Sequence, residues 1–335
     1  NIPFQISGGT RFGCALYENG IQCWGKIGGK FKNLASSEHV SVGTDHYCVL
    51  FDGQVNCWRT SQGRRPATFG QAPRKIPDLI NPTQIAAGDS HSCAIDDTGV
   101  VCWGGVNSLD NPMICDKDRT GMLLETICPY SDKENSAGNN IPTLINPTYI
   151  SANGITELIE HERDRNVTGK LAEVHFYGDY RTCAIDNTGV VCWGRNGEII
   201  ETPKLSNPVQ VDVGQKHTCA LDETGVTCWG NNEFGQLDVP ELDNPTQIGV
   251  GYNHTCALDD TGVVCWGKEK LSVKGFDTVE EYNITLPPEL INPTQISAKG
   301  SGSCALDDTG VVCWGQPAWW GSSSVGRPIS IGSLD

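Results

Sequence analysis

The sequence predicts an all-β fold of seven stacked units, and three observations carry that prediction. Seven cysteine pairs share one spacing, a tryptophan follows the second cysteine of each, and a near-constant turn lies between the two. Cys14 pairs with Cys23, Cys48 with Cys57, Cys93 with Cys102, Cys183 with Cys192, Cys219 with Cys228, Cys256 with Cys265 and Cys304 with Cys313. Seven units over 335 residues give a period of about 48, in the range of propeller blades rather than helical solenoids.

Each unit can be justified from its start. Five open on an Asn-Pro phrase: "NPTQI" at Asn81, Asn244 and Asn292, "NPTYI" at Asn146 and "NPVQV" at Asn207. Proline lacks a ladder donor, so Asn-Pro marks the beginning of a strand. A small-residue turn follows, as in "AAGDSH" from Ala86, and then the apolar run C-A-[IL]-D. "DDTG" offers Asp for side-chain capping and Gly for positive φ, which reads as a tight hairpin. "GVVCWG" is β-branched and aromatic, of strand length. Across such a hairpin the two cysteines fall at, or one residue from, opposed positions, within reach of a disulfide.

A zinc site wants close ligand pairs such as C-x2-C, which this spacing does not supply. Reduced, buried cysteines are the other reading. Seven identical spacings favour disulfides, each contributing ~2–3 kcal/mol by loop entropy. Disulfides at this density imply a secreted, extracellular or periplasmic location. An eighth pair, Cys115 and Cys128, lies in an insert and is expected to pin it. The seven repeated tryptophans, Trp24, Trp58, Trp103, Trp193, Trp229, Trp266 and Trp314, are expected to pack unit against unit.

Composition bounds the rest. Hydrophobic residues make up 38% and charged residues 19%, as in a folded chain, while 39 glycines and 18 prolines imply many turns. No apolar run approaches the ~18 residues of a membrane span, so no transmembrane segment is expected. The formal charge of −16 argues against nucleic acid as a partner, because such binders concentrate Lys and Arg on one face. The chain opens on Asn1 rather than methionine, which fits either removal of a signal peptide or a trimmed chain.

"GYNHTCALDDTGVVCWG" (Gly251–Gly267) resembles the repeat of the regulator of chromosome condensation family, and "WGNNEFGQL" (Trp229–Leu237) is similar to that repeat's continuation. The resemblance covers most of the chain and implies a seven-bladed β-propeller. His46, His91, His217 and His254 match a repeat position that Arg181, Gly302 and Phe12 fill in other units. These histidines are expected to be loop residues bonded to nearby backbone. The family includes exchange factors for nuclear GTPases and bacterial propellers that inhibit β-lactamases. A disulfide in every unit is at odds with the reducing nucleus of the first kind.

After the seventh hairpin, "RPISI" (Arg327–Ile331) looks like one more strand without a hairpin. It is expected to close the ring by completing a blade shared with the N-terminal segment, removing an exposed edge. The expectation is one propeller domain over 1–335, with inserts 105–140 and 153–176 protruding. Strand parity sends the segments after the first and third strands of each unit out from the same end, and nearly all length variation lies there. Variable loops on a rigid scaffold are where binding concentrates.

The aromatic residues Tyr130, Tyr177, Tyr180, Trp319 and Trp320 are the binding candidates. "DKDRTG" (Asp116–Gly121) is similar to a calcium loop, with Asp116 and Asp118 at alternate positions, but Ile127 stands where the twelfth-position carboxylate belongs. It is a weak calcium candidate, and otherwise neither metal nor cofactor is expected. Thr156–Arg165 has helical character. Sequons stand at Asn166, Asn253 and Asn283. No nucleophile elbow, zinc-helix motif or phosphate loop occurs. The reading is a secreted, non-enzymatic interaction propeller for a protein or cell-surface partner. The alternatives are a self-assembling structural subunit of an extracellular appendage, and an enzyme.

Overall fold

The computed structural model describes residues 3–10, 12–25, 29–31, 36–44, 46–59, 70–71, 76–88, 91–104, 141–153, 157–158, 176–177, 181–194, 198–268, 270–274, 279–283, 285–315 and 329–331. Among them every regular element is a strand. Seven antiparallel sheets follow one another as blades. Blade 1 is β1 (Gln5–Gly8), β2 (Phe12–Tyr17), β3 (Gly20–Gly25) and β4 (Gly29–Phe31); blade 2 is β5 (Ser37–Val42), β6 (His46–Phe51), β7 (Gln54–Arg59) and β8 (Gly70–Gln71). Blade 3 is β9 (Gln84–Ala87), β10 (His91–Asp96) and β11 (Gly99–Gly104). Blade 4 begins with β12 (Tyr149–Asn153), is interrupted by a two-stranded ladder of β13 (Glu157–Leu158) and β14 (Phe176–Tyr177), and resumes with β15 (Arg181–Asp186), β16 (Gly189–Trp193) and β17 (Ile199–Ile200). Blade 5 is β18 (Gln210–Val213), β19 (His217–Asp222) and β20 (Gly225–Gly230), and blade 6 is β21 (Gln247–Val250), β22 (His254–Asp259) and β23 (Gly262–Gly267). A separate hairpin, β24 (Lys270–Lys274) and β25 (Val279–Asn283), precedes blade 7, which is β26 (Gln295–Lys299), β27 (Gly302–Asp307), β28 (Gly310–Gly315) and β29 (Ile329–Ile331).

All seven repeated cysteine pairs are bonded within their own hairpins. The partners are directly opposed in the register rather than one residue apart, as Cys14 is to Cys23 and Cys256 is to Cys265. Their Cα atoms lie 4.0–4.1 Å apart, the close spacing of non-hydrogen-bonded antiparallel partners. Each tryptophan then covers the cystine of the blade before it. Trp58 packs with Cys14 and Cys23, Trp103 with Cys48 and Cys57, and Trp193 with Cys93 and Cys102. Trp229 packs with Cys183 and Cys192, Trp266 with Cys219 and Cys228, and Trp314 with Cys256 and Cys265. Around the seam, Trp24 of blade 1 packs with Cys304 and Cys313 of blade 7. Sulfur against an aromatic ring is favourable beyond the area it buries, so staple and inter-blade contact are one structure.

The innermost strands surround a central channel and would leave an unpaired backbone edge facing it. Glutamine solves this. The Gln210 amide accepts from Ile248 N at 2.9 Å and donates to Ile248 O at 2.8 Å, so one side chain imitates a neighbouring strand. Gln5, Gln84 and Gln247 likewise accept from the backbone N–H of Val40, Ile150 and Ile296. Gln295 reaches Ile6, and the Ser297 hydroxyl accepts from Gly8 N at 2.8 Å, which closes the ring from blade 7 to blade 1.

Three expectations need correction. The C-terminal strand completes blade 7 as predicted, but that blade is not shared, because β29 pairs with β28 and all four of its strands come from residues 295–331. The ring closes by side chain and packing between β1 and β26 because every blade already begins with its own inner strand. Within the predicted helix, Glu157 and Leu158 are strand, paired with Tyr177 and Phe176, and the rest of that segment lies outside the described residues. The histidines are not loop residues. They begin second strands, and His46, His91, His217 and His254 bond the hydroxyls of Ser92, Thr182, Thr255 and Ser303 in the next blade at 2.7–3.0 Å.

Candidate functional site

The two ends of the ring differ in what their side chains are committed to. At the lower end sit the hairpin turns. In five of the seven turns the first carboxylate accepts from the threonine amide and hydroxyl two residues on, as Asp259 does from Thr261. Its other oxygen accepts from the backbone just before or at the Asn-Pro phrase, as Asp96 does from Ile80 N at 2.9 Å. The asparagines adopt left-handed φ, 49–51° at Asn81, Asn146, Asn207, Asn244 and Asn292, a conformation Asn tolerates better than most residues. Asn81, Asn207, Asn244 and Asn292 also donate to the second acidic residue of the turn at 2.6–2.7 Å. Burial acts to raise the pKa of Asp96, Asp186, Asp222, Asp259 and Asp307. The threonine hydroxyls and backbone N–H groups outweigh it and hold these carboxyls below their ordinary value.

At the upper end the blades meet through glycine. A side chain on Gly43 would strike the Gly88 carbonyl, and one on Gly251 would strike the His254 ring and approach the Gly300 carbonyl. Blade 4 departs from this, with Asn153 in the glycine position donating to Val213 O at 3.0 Å. Antiparallel register sends the interruptions out at this same end. Asn153 pairs with Arg181 and Thr182 with Trp193, so the 154–180 connection and the segment after Trp193 leave together. Trp103 and Trp266 stand at the equivalent places, opposite Ser92 and Thr255.

The channel encloses a cavity of about 160 Å³ lined from all seven inner strands. Its lining departs from the repeat in several blades. His39 in blade 2 and Tyr149 in blade 4 stand where other blades have glutamine, and Asp212 in blade 5 where blades 1, 2, 4 and 7 have serine. Asp212 accepts from Ser151 Oγ at 2.8 Å, Val213 N at 3.0 Å and Val250 N at 2.8 Å. Burial raises its pKa, against the Lys299 charge and those hydrogen bonds. Lys299, on blade 7, crosses the lumen to donate from Nζ to Ala152 O on blade 4 at 3.1 Å. Burial lowers His39 to about 4 and raises the Tyr149 hydroxyl. The inter-blade histidines are likewise neutral, His91 and His254 at about 4 and His217 at about 3, chiefly through burial.

The predicted site residues divide between scaffold and insert. The fourteen cysteines of the repeated pairs, from Cys14 and Cys23 to Cys304 and Cys313, are bonded in the blades and line none of the channel. Tyr130, Tyr180, Trp319, Trp320, Asp116, Asp118, Cys115 and Cys128 lie outside the described residues, and Tyr177 is described only as strand backbone in β14. Asn166 lies outside them too, while Asn253 heads β22 with its side-chain oxygen buried and Asn283 ends β25. Among the described residues no three His, Cys, Asp or Glu side chains group as metal ligands. No helix among them is long and apolar enough to cross a membrane.

Fold and channel define a seven-bladed β-propeller whose blades are hairpins stapled by cystine. Residues 83–109, 209–236 and 246–270, in blades 3, 5 and 6, match the regulator of chromosome condensation (RCC1) repeat. No curated protein matches the chain in sequence. Among solved structures, it is similar to the CRINKLY WD40 ectodomain of the Arabidopsis thaliana receptor kinase ACR4, at 19% identity and a TM-score of 0.56 over 98% of this chain and 96% of that one. The entire ectodomain of the Physcomitrella patens receptor kinase CR4 matches at 19% identity and 0.55, over 92% of this chain and 71% of that one. Human WBSCR16 matches at 16% and 0.52, over 90% and 86%. At these identities the likeness is one of fold.

Proposed function

We propose that the chain is an extracellular, non-enzymatic interaction propeller forming one domain, which binds a protein or cell-surface ligand at its upper, insert-bearing end. One observation carries this reading. The interruptions of a sevenfold repeat leave the ring at one end, while the lower-end aspartates are bonded within their own turns. Seven cystines support the extracellular location, since such bonds persist where the medium is oxidising. The inter-blade histidines and the turn aspartates are held in scaffold bonds, which supports a binding role over catalysis.

The test is recovery of cross-linked partners from native surface material with the intact chain and with residues 105–140 or 154–175 replaced by short Gly-Ser linkers. Loss of a specific partner with the cystines still formed is the expected result. Equal recovery would overturn the choice of end. Ordered polymers of the purified chain under the electron microscope would instead favour a structural subunit.

A further inference from the structure

We infer that the outer edge of blade 6 is a strand-addition site for an extended segment of another polypeptide, apolar at alternate positions and followed by a cation. The chain supplies its own templates. Blades 1, 2, 4 and 7 each add a short antiparallel fourth strand to the strand that carries the second cysteine. In blade 7 that strand sets Ile329 opposite Cys313 and Ile331 opposite Val311; in blade 4 Ile200 lies opposite Cys192, and in blade 1 Phe31 lies opposite Ile21. Blade 7 shows that the position accepts an apolar-x-apolar strand, and blades 1 and 4 each place one apolar residue on the same face.

Blade 6 has the same edge without an occupant among the described residues. After Gly267 the chain departs into β24 and β25, which pair with each other, and β25 lies against β28 of the next blade. Val263 and Val264 in β23 are partly exposed, as Val190 and Val191 are in blade 4, whereas Val311 and Val312 beside β29 are 0% and 6% exposed. Blade 5 also lacks a fourth strand, but there Val239 and Leu242 pack with Val226 and Cys228. In blade 6 Leu290 packs with Val263 and Cys265, and Pro287 stands at the position of Val239. A groove of about 490 Å³ results, lined by Asp259, Asp260, Val263, Pro287, Pro288 and Leu290. Two consecutive prolines cannot donate to the strand beside them, so that wall leaves the β23 edge to a visitor.

Charge gives the visitor a direction. Asp259 ends β22 and Asp260 follows in the turn before β23, while the cation Lys268 follows the end of β23, with Nζ 4.9 Å from the Phe234 ring centre. An antiparallel strand with apolar residues opposite Cys265 and Val263 would therefore carry its cation just after the second of them, toward the carboxylates. Main-chain pairing supplies affinity and the alternate side chains supply selectivity, as in strand addition generally.

The experiment is hydrogen exchange on the full chain, cystines intact, with the acetylated peptide Gly-Ile-Ser-Ile-Gly-Lys-amide as probe. At a peptide concentration about ten times its Kd, amides of Gly262–Gly267 should exchange about tenfold more slowly. The same peptide with Lys replaced by Glu should give no protection at that concentration. No slowing at millimolar peptide, equal protection by the Glu peptide, or protection at β20 instead would overturn the inference. Protection of β23 that rises with protein concentration in the absence of peptide would make the occupant a second copy, and would overturn it as well.

Discussion

At the lower end of the ring, five turns repeat one hydrogen bond, threonine amide to aspartate, at 2.7–2.8 Å. At the upper end the corresponding places hold glycine in some blades and Asn153 or Lys299 in others, and the connections there range from a few residues to 154–180. The repeats are the same, but the constraint is not. A lower turn must satisfy a buried carboxylate and fix the next strand's start, so nearly any change costs a bond. An upper connection need only begin and end at the blade, and the entropic cost of closing a loop grows slowly with its length. Variation therefore accumulates where the scaffold permits it.

The largest expected effect breaks both ends together. Complete reduction of the seven described cystines should remove ~2–3 kcal/mol apiece, more in sum than the ~5–15 kcal/mol that holds a typical domain folded. Thermal melts with and without reductant should show loss of the cooperative transition. A reduced chain that keeps its native melting temperature would show that the tryptophans and glutamines hold the ring alone.

Acid should separate the ends next. The buried histidines carry the inter-blade bonds toward the upper end, and burial lowers their folded pKa well below the ordinary 6.5. The unfolded chain then takes up protons more readily, so stability is fully present above pH ~6.5 and declines as pH falls toward about 4. His254, fully buried, contributes roughly 3 kcal/mol to that decline. The turn aspartates sit below their ordinary value, so their contribution is lost only at still lower pH, as it falls through their folded pKa. A His254→Gln variant should flatten the melting-temperature profile between pH 6.5 and 4, and an unchanged slope would refute the assignment.

Breaking one lower turn should cost less. Asp259→Ala removes the acceptor shared by Thr261 and the Asp243 amide, for about 2 kcal/mol. Denaturant unfolding should show that loss while ligand recovery at the upper end is unchanged. Impaired recovery would mean that the two ends are coupled.

How much of this was legible in the sequence follows from where each partner lies. The cystine hairpin could be read directly, because both cysteines, such as Cys14 and Cys23, fall with their turn inside one phrase. The tryptophan's packing role followed from its one-per-unit count, but not the cystine it covers, which belongs to the previous repeat. The histidine bonds were missed because the hydroxyl partners of His46 and His91 are 46 and 91 residues away. A signal was present, since Ser or Thr precedes the first cysteine wherever the preceding blade offers a histidine. The asparagine of Asn-Pro was credited to its proline, although its own left-handed φ is what sets the turn. The binding candidates Tyr130, Trp319 and Trp320 rest on interruption alone, and an interruption has no sister copies from which to infer a role.

The smallest expected effect sharpens the comparison inside the channel. Where glutamine clasps the next blade it matches one N–H and one C=O, as Gln210 does for Ile248. His39 occupies that position in blade 2, with its Nδ1 buried and unpartnered. It faces Ile85, whose counterparts Val40, Ile150, Ile248, Ile296 and Ile6 are all bonded by a glutamine. His39→Gln restores the repeat's own solution and removes a buried imidazole that resists protonation. It should stabilise the fold by about 1 kcal/mol at neutral pH and by more near pH 5, because a glutamine has no proton to take up on unfolding. Melting curves at the two pH values check both statements. A variant no more stable than the parent at either pH would show that the channel holds its irregular side chains without strain on the ring, and that the sevenfold clasp is redundant at this seam.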